Sequence, residues 1–361
     1  MVRMKNRSFS RVVALQLTTA VLASYLMAAN CSPATAQTTA QNNSISLKWF
    51  RGIVVGNTPY RLAITPNGRE VYVSNFGSNT VSVIDASLYT VVATIPVPDE
   101  PSYVAITPDG SACLVVAAGR ISVISTATKT VVKNISAGSN PNGFAITPDG
   151  KQLYVCNPGL GFNDGAVTII DLSTDQIQKT IAIPGSPVNV MISPDGKSVY
   201  VIANYNERGY LDRKGFVVKI DVASQTVLAL LGGGRVKTIS GALAISPNSE
   251  TLYVGEGSSD VLALNPDTGE TKRTLVIFSP YARKRAFRLD GIQLSSNGRY
   301  LFVAESGQHA ITAVNAWKGE QVASVMVGRE PIDIAVSPDG KYLYVANSER
   351  GTVSIVKIER P

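Results

Sequence analysis

The sequence predicts an all-β protein made of seven repeats, each forming one four-stranded antiparallel sheet. The first observation is a recurring turn phrase, represented by Thr147-Pro148-Asp149-Gly150. Its seven copies begin at Thr65, Thr107, Thr147, Ser193, Ser246, Ser295 and Ser337, at intervals of 42, 40, 46, 53, 49 and 42 residues. The second observation is that no stretch has sustained helical periodicity. Together they favour a seven-bladed β-propeller, in which the sheets stand around a central axis.

Each copy of the phrase has the chemistry of a tight turn between two antiparallel strands. Proline presets the backbone dihedral at the second position of the turn, and Asp or Asn bonds back to nearby main chain. Glycine accepts a positive φ at the fourth position. We therefore expect the phrase to join the first and second strands of every blade.

Four strands per repeat follow from the residues around the turn. An apolar stretch such as Val104–Ile106 precedes it, and a β-branched or aromatic stretch such as Leu343-Tyr344-Val345 follows it. A third strand with clean alternation is read at Thr80–Asp85 and a fourth at Thr90–Ile95. Because apolar residues occur on both faces, each sheet needs a neighbour on both sides.

The two ends of the repeat region are complementary. The last copy supplies only three strands before Pro361, whereas residues 45–55, with Trp49 and Phe50, precede the first complete blade. We expect this N-terminal segment to form the outer strand of the last blade, which closes the ring and hides both sheet edges. The predicted propeller spans residues 45–361, after a polar tether at residues 37–44.

The repeats resemble those of the YVTN-repeat β-propeller family, whose name describes phrases such as Tyr72-Val73-Ser74-Asn75 and Tyr344-Val345-Ala346-Asn347. This resemblance implies the propeller fold and a periplasmic, secreted or cell-surface protein. The Gly-His and Trp-Asp marks of WD40 repeats are not visible. Enzymes related by fold alone include lactonases, lyases and amine dehydrogenase heavy chains.

The first 36 residues are typical of a secretory signal peptide. Residues 12–29 are mostly apolar, and Ala34-Thr35-Ala36 forms a small-x-small cleavage site. The sequence therefore predicts export to the periplasm or the exterior. An uncleaved membrane anchor and lipid attachment through Cys31 are the alternatives, although Asn30 is a poor match to a lipoprotein signal. The basic residues of this leader are Arg3, Lys5, Arg7 and Arg11.

Removing the leader changes the charge and the cysteine count. The formal net charge falls from +7 to +3, so net charge alone is weak support for a polyanionic partner. Cys113 and Cys156 remain, three positions apart on equivalent strands of neighbouring blades. That offset is roughly 10 Å along the strand, beyond the reach of a disulfide, so we expect two buried free thiols.

The first candidate site is a basic and aromatic rim on the face that carries the long loops, residues 157–164, 204–214 and 278–290. Guanidinium groups can bind phosphate, sulfate or carboxylate, and aromatic rings can stack on bases or sugars. A solvated surface paired to Glu207 and Asp212 is the alternative interpretation. The rim consists of Tyr205, Arg208, Tyr210, Arg213, Lys214, Arg235, Lys237, Tyr281, Arg283, Lys284, Arg285, Phe287 and Arg288.

The second candidate site is acidic. Glu256 and Glu305 occupy the Asn position of the YVTN phrase in blades five and six, where Asn75 and other copies can tie down the following loop. With Asp290 and the single histidine, His309, they could form a metal or acid-base cluster near the channel mouth. The spacing carries no ligand signature.

A third set begins each innermost strand and should approach the central channel as either a small-ligand pocket or a water-filled hole. Its members are Tyr60, Arg61, Ser102, Tyr103, Asn142, Asn189, Ser240, Asp290 and Asp333.

These features predict an exported, monomeric, non-catalytic binding propeller without a cofactor. Its partner would be a protein or an anionic polymer, with single-stranded nucleic acid as a further candidate, held on the long-loop face. The alternative is a channel-mouth lactone hydrolase or lyase that uses Glu256, Glu305, Asp290 and His309, with or without a divalent metal. A single histidine argues against a His-dependent triad or a multi-histidine metal site.

Overall fold

The structure, a computed structural model, describes residues 45–159, 164–206, 213–237, 239–256, 260–278, 280–281 and 289–360. The described chain contains 28 strands. The first three blades are β2–β5 (Pro59–Ile64, Glu70–Asn75, Thr80–Asp85, Thr90–Pro96), β6–β9 (Val104–Ile106, Ala112–Ala117, Arg120–Ser125, Thr130–Ser136) and β10–β13 (Phe144–Ile146, Gln152–Asn157, Gly165–Asp171, Gln176–Ile183).

Blades four to six are β14–β17 (Ser186–Ile192, Ser198–Asn206, Arg213–Asp221, Thr226–Lys237), β18–β21 (Ile239–Ile245, Leu252–Glu256, Asp260–Leu264, Thr271–Val276) and β22–β25 (Leu289–Leu294, Tyr300–Glu305, Ala310–Asn315, Glu320–Met326). Blade seven is β26–β28 (Pro331–Val336, Tyr342–Asn347, Thr352–Glu359) with β1 (Ser46–Val54). Three short 3-10 turns cover Phe76–Ser78, Ser306–Gln308 and Ser348–Arg350.

The predicted fold is confirmed, including the closure of the ring. In every sheet the strands are antiparallel and follow chain order outward, except that the last sheet has the order β26-β27-β28-β1. Ser46 pairs with Glu359 and Val54 with Thr352, so the N-terminal strand becomes the outer strand of blade seven. Closure leaves no blade incomplete, which is how a propeller manages its exposed edges.

The recurring turn is held by the hydrogen bonds that its residue types allow. In the third copy the Thr147 hydroxyl donates to Asp149 Oδ1 over 2.6 Å, and the main-chain N–H of Gln152 donates to Thr147 Oγ1 over 2.9 Å. Gly150 adopts φ 72°, in the left-handed region. Its α-carbon faces Pro108 of the preceding blade, so the turns of neighbouring blades pack against one another.

The hydrophobic core lies between the blades. The described residues form seven apolar clusters, each joining two neighbouring sheets. Along β3, Tyr72 packs toward blade two, whereas Val71 and Val73 pack toward blade seven. This alternation explains why the strands are apolar on both faces.

Cys113 and Cys156 are buried and free, as predicted. Cys113 belongs to the cluster between blades one and two, and Cys156 to the cluster between blades three and four. Burial raises the pKa of both thiols, so they are held as neutral, small apolar side chains.

A segment predicted as a loop on the long-loop face, residues 204–214, is partly strand. Tyr205 pairs with Lys214 and Asn206 with Arg213, so the hairpin of β15 and β16 extends into the segment 204–214. The outer strand β17 also continues to Lys237, which pairs with Lys214. Its pairing with β16 is interrupted between Val217, which pairs with Leu231, and Gly215, which pairs with Val236. The extra residues of β17 after Leu231 form a bulge at this point.

A candidate ligand site at the hub of the propeller

The central channel is lined by the innermost strand of each blade. That strand pairs on one side only, so its other edge presents main-chain N–H and C=O groups to the axis. A cavity of about 320 Å³ lies on this axis. Its lining runs from Arg61, Asp333 and Asp290 near the strand starts to Pro66 and Pro338 in the turns at the opposite face.

Four of the residues at the head of this cavity occupy equivalent positions, four residues before the Ser or Thr that opens each turn. Blades three, five and six carry Gly143, Ala242 and Gly291 there instead. The full set, which we call the hub, is Arg61, Tyr103, Gly143, Asn189, Ala242, Gly291 and Asp333. The expectation that polar residues at the strand starts approach the channel is confirmed for Arg61, Tyr103, Asn189, Asp290 and Asp333.

The small hub residues make room for the large ones. A β-carbon on Gly143 would lie 3.3 Å from the ring of Tyr103 and 3.3 Å from the carbonyl oxygen of Val188. The Tyr103 hydroxyl donates to that same carbonyl over 3.2 Å and thereby links blade two to blade four. Glycine at position 143 therefore allows a side chain from one blade to cross to another.

Arg61 is the cation of the hub. Its guanidinium carbon lies 4.9 Å from the ring centroid of Tyr60 and 5.0 Å from that of Tyr103. Its Nη1 donates to the carbonyl oxygens of Ile332 over 3.2 Å and Tyr60 over 3.4 Å. Burial tends to lower the pKa of Arg61, but Tyr103, Asp333 and Tyr60 raise it further, so the side chain stays charged.

Asp333 is the anion of the hub and lies in the neighbouring blade. Its Oδ2 accepts the main-chain N–H of Leu62 over 2.9 Å. Burial raises the pKa of Asp333, and this outweighs the lowering by Arg61 and by the N–H groups of Leu62 and Ile334. The neighbouring guanidinium therefore faces a carboxyl whose negative charge is disfavoured.

Asn189 joins blades four and five. Its Nδ2 donates to the carbonyl oxygen of Gly241 over 2.7 Å, and its Oδ1 accepts the N–H of Val190 over 2.8 Å. Arg61, Tyr103, Asn189 and Asp333 thus all satisfy main-chain groups on the open inner edges. The hub is both a polar surface and a set of links between blades.

An aromatic path leads from the hub to the surface. The ring centroids of Tyr60 and Tyr103 are 6.4 Å apart, and those of Tyr60 and Phe76 are 6.0 Å apart. Phe76 lies in the turn between β3 and β4 with 36% of its surface exposed. Since inner strands start on the same face as these turns, Arg61 is approached from the long-loop face.

The members of the acidic candidate are not all in one blade: Glu256 ends β19 of blade five, Asp290 lines the cavity, and Glu305 is integrated into blade six. Glu305 is fully buried and accepts a hydrogen bond from the Thr312 hydroxyl. Asn75 makes the corresponding contact in blade one by donating to Ser82 Oγ over 2.9 Å. Glutamate at this position therefore reverses the direction of the bond but keeps the link between the second and third strands.

His309 has a loop-holding role of the same kind. It follows the 3-10 turn with φ 56°, and its Nδ1 accepts the main-chain N–H of Glu330 over 3.1 Å. Asn79 of blade one does the same with Glu100 over 3.1 Å. Among the described residues, no three His, Cys, Asp or Glu side chains are grouped so that they could hold a metal ion.

Most of the basic and aromatic rim falls outside the described residues. Of its members, Tyr205 and Tyr281 are described with their side chains, and burial followed by the proximity of Glu305 raises the pKa of Tyr281. The main chain of Arg213, Lys214, Arg235 and Lys237 is in strands β16 and β17. The members outside the described residues are Arg208, Tyr210, Arg283, Lys284, Arg285, Phe287 and Arg288.

Sequence reasoning placed the polar hub residues Arg61, Tyr103, Asn189 and Asp333 on the channel but did not join them into one site. The signal that could have joined them is the alignment of the seven turns. It puts these four at one position of the repeat, and in a closed ring the first and last blades are neighbours.

Comparisons with known proteins agree with this architecture. Residues 47–152 match the family described as YNCE-like beta-propeller, and residues 235–361 match the one described as Lactonase, 7-bladed beta-propeller. Neither description names the YVTN repeat, so that resemblance stands at the level of the propeller fold. No curated protein matches the chain.

Among solved structures, Kuenenia stuttgartiensis hydrazine synthase matches with a TM-score of 0.74 and 24% sequence identity. The match covers 83% of this chain and 95% of that chain. At this identity the likeness concerns the fold alone. In the part of the chain that the structure describes, we find no helix with the length and apolar character needed to span a bilayer.

Proposed function

We propose that this protein is an exported binding propeller that holds an anionic group of its partner at Arg61. The observation that carries the proposal is the environment of this side chain. Its guanidinium packs against two tyrosine rings at the head of a 320 Å³ cavity, where Nη1 donates to two carbonyl oxygens and the Tyr103 hydroxyl is a further side-chain partner. A carboxylate, sulfate or phosphate group is the natural acceptor for the remaining donors.

The neighbouring carboxyl supports this choice of ligand charge. Burial raises the pKa of Asp333, so ionisation of its carboxyl is disfavoured. Asp333 therefore competes less strongly with an anionic ligand for the Arg61 guanidinium. Tyr60 and Tyr103 fix the plane of the guanidinium, which lowers the entropy lost on binding.

The partner is an anionic polymer or an acidic segment of a protein, and the rim supplies further cations around the hub. The sequence places nine Arg and Lys side chains and four aromatic residues between Asn204 and Asp290, in segments that we expect on the same face. The contribution of those loops belongs to this proposal.

The test compares wild type with Arg61→Gln for binding of heparin and of single-stranded oligothymidine, by fluorescence anisotropy at low and high salt. We expect Arg61→Gln to weaken binding about tenfold or more, because a hydrogen bond to a charged group contributes about 1.5–3 kcal/mol. Arg120→Gln is the matched control, since Arg120 is an exposed arginine at the start of β8 on the same face. Equal effects of the two substitutions would remove the hub from the proposal.

Lactone hydrolysis is the second candidate function. The stretch that matches the lactonase description contains Glu256, Asp290, Glu305 and Asp333. Asp290 and Asp333 line the cavity, where one carboxyl could activate water while Arg61 stabilises the developing oxyanion.

A titration of acid released from sugar lactones tests this candidate. We expect Asp290→Asn or Asp333→Asn to lower kcat by at least about a hundredfold with the fold retained, as measured by circular dichroism. Absence of lactone opening by the wild-type protein would exclude the activity.

A further inference from the structure

A second cavity lies on the face opposite the hub, in the wedge between blades seven and one. Its volume is about 430 Å³. That is within the range of small-molecule sites, roughly 300–1,000 Å³. The side chains that matter here are Asn67, Arg69, Asp85, Asp339, Tyr342 and Tyr344.

Three aromatic rings stand at the outer side of this wedge and form what we call the closure trio, Phe50, Tyr89 and Tyr342. The ring centroid of Phe50 is 5.1 Å from that of Tyr89 and 6.1 Å from that of Tyr342. Tyr89 and Tyr342 are 6.3 Å apart. Phe50 is 42% exposed, and its neighbour Trp49 is 43% exposed.

The closure trio differs in kind from the equivalent contacts at other blade junctions. Between blades one and two the same positions hold an ion pair, Lys129 to Glu70, at 2.6 Å. Between blades three and four they hold Gln152, Gln178 and Gln225, joined by amide hydrogen bonds of 3.0 and 3.4 Å. Two blades can therefore pack together without aromatic rings at this position. Packing alone does not explain why three partly exposed rings are grouped at the junction of blades seven and one.

Tyr89 adds to this argument because its backbone is in the left-handed region, with φ 55°. Equivalent turns place Lys129, Asp175 and Gln225 in this conformation. A bulky aromatic residue is uncommon there, and strained backbone tends to be kept at functional sites.

The surroundings disfavour an aromatic cage for a cation and disfavour an anionic ligand. The rings of the closure trio are already in contact at these distances, so no cation fits between them as it would in an aromatic cage. Asp85 and Asp339 line the wedge and repel an anion. A neutral ligand with many hydroxyl groups and an apolar face suits this mixed polar and aromatic lining.

The wedge matches such a ligand group by group. Aromatic rings offer apolar surface for the C–H face of a sugar, and their phenol hydroxyls both donate and accept. Asp85 and Asp339 provide acceptors, whereas Asn67 and Arg69 provide donors. Burial and the nearby Tyr89, Tyr342, Asp339 and Asp85 all raise the pKa of the Tyr344 hydroxyl, which therefore remains a donor.

We propose that the wedge between blades seven and one, with the closure trio beside it, binds a neutral oligosaccharide. This site is independent of the proposed function, because it lies on the face opposite the hub and does not involve Arg61.

The test is isothermal titration of the propeller with cellohexaose, chitohexaose and xylohexaose at up to about 10 mM, with Trp49 fluorescence as a second readout. We expect at least one of these oligosaccharides to bind to the wild type. We expect Phe50→Leu and Arg69→Ala each to weaken the binding of that oligosaccharide. For Phe50→Leu the loss should be about tenfold, as for removal of a stacking ring. Leucine keeps the apolar contact, so the fold should survive, which the melting temperature checks.

The matched control is Val92→Ala. Val92 is the equivalent bulged residue of blade one and is 45% exposed. Oligosaccharide binding that survives Phe50→Leu and Arg69→Ala, or that falls equally with Val92→Ala, would overturn the proposal, as would absence of binding by the wild type to all three sugars.

Discussion

At the scale of single residues, Asp333 shows how burial and partners compete. It accepts an N–H group and lies beside Arg61, and both effects favour the ionised form. Burial at the head of the cavity nevertheless raises its pKa. Ionised Asp333 therefore destabilises the folded state, and protonation of the carboxyl removes this destabilisation.

This sign gives a prediction for stability against pH. Since the pKa of Asp333 is higher in the folded state, its contribution to the free energy of unfolding is largest at low pH and is lost as pH rises through the folded pKa. We expect the difference in stability between wild type and Asp333→Asn to shift in favour of the wild type as pH falls from 7 to about 4.

Urea unfolding of both proteins at each pH measures this difference, because the other carboxylates cancel in the comparison. They act in the opposite direction: Asp109, Asp149 and Asp195 accept hydrogen bonds from hydroxyl and main-chain groups of their turns, which lowers their pKa values. A difference that is flat with pH would show that Asp333 titrates as in the unfolded chain.

At the scale of elements, β1 closes the ring with residues far away in sequence. It pairs along its length with β28, and Ile45, Leu47 and Ile53 are buried between blades. Burying an aliphatic side chain contributes about 1.5–3 kcal/mol. The strand also covers the edge of β28 that would otherwise be exposed.

Removal of β1 should therefore cost much of the stability. We expect a chain that starts at residue 55 to melt at least about 10 °C below one that starts at residue 45, as measured by calorimetry. The chain that starts at residue 45 is the control and should melt like one that starts at residue 37. An unchanged melting temperature on removal of β1 would mean that its pairing adds little.

At the scale of the whole molecule, the basic character of the chain depends on its first residues. Residues 1–36 contribute four basic and no acidic side chains, so a chain cleaved after Ala36 would carry +3 instead of +7. A locally basic site, such as Arg61 with the rim, then matters more than the overall field.

Cleavage after Ala36 is the corresponding prediction. Intact-mass spectrometry of the exported protein should give a chain that begins at Gln37, and replacing Ala34 and Ala36 by Leu should block processing. A lipidated chain beginning at Cys31, or a chain that keeps residue 1, would contradict it.

The sequence by itself determined the repeat, the four strands of each blade, the turn chemistry and the closure by residues 45–55. These depend on local properties, such as the turn at Thr147-Pro148-Asp149-Gly150 and the alternation along Thr80–Asp85, which can be read without knowing which blades meet. The two buried thiols followed from the same alignment of repeats.

Only the tertiary structure decided which side chains meet. Leu62 and Asp333 are bonded across 271 positions of the chain, and Tyr103 reaches Val188 because Gly143 leaves space between them. His309 binds the Glu330 main chain instead of standing with the carboxylates. Such contacts depend on ring closure and on the reach of individual side chains, and neither is encoded in the local pattern of a single repeat.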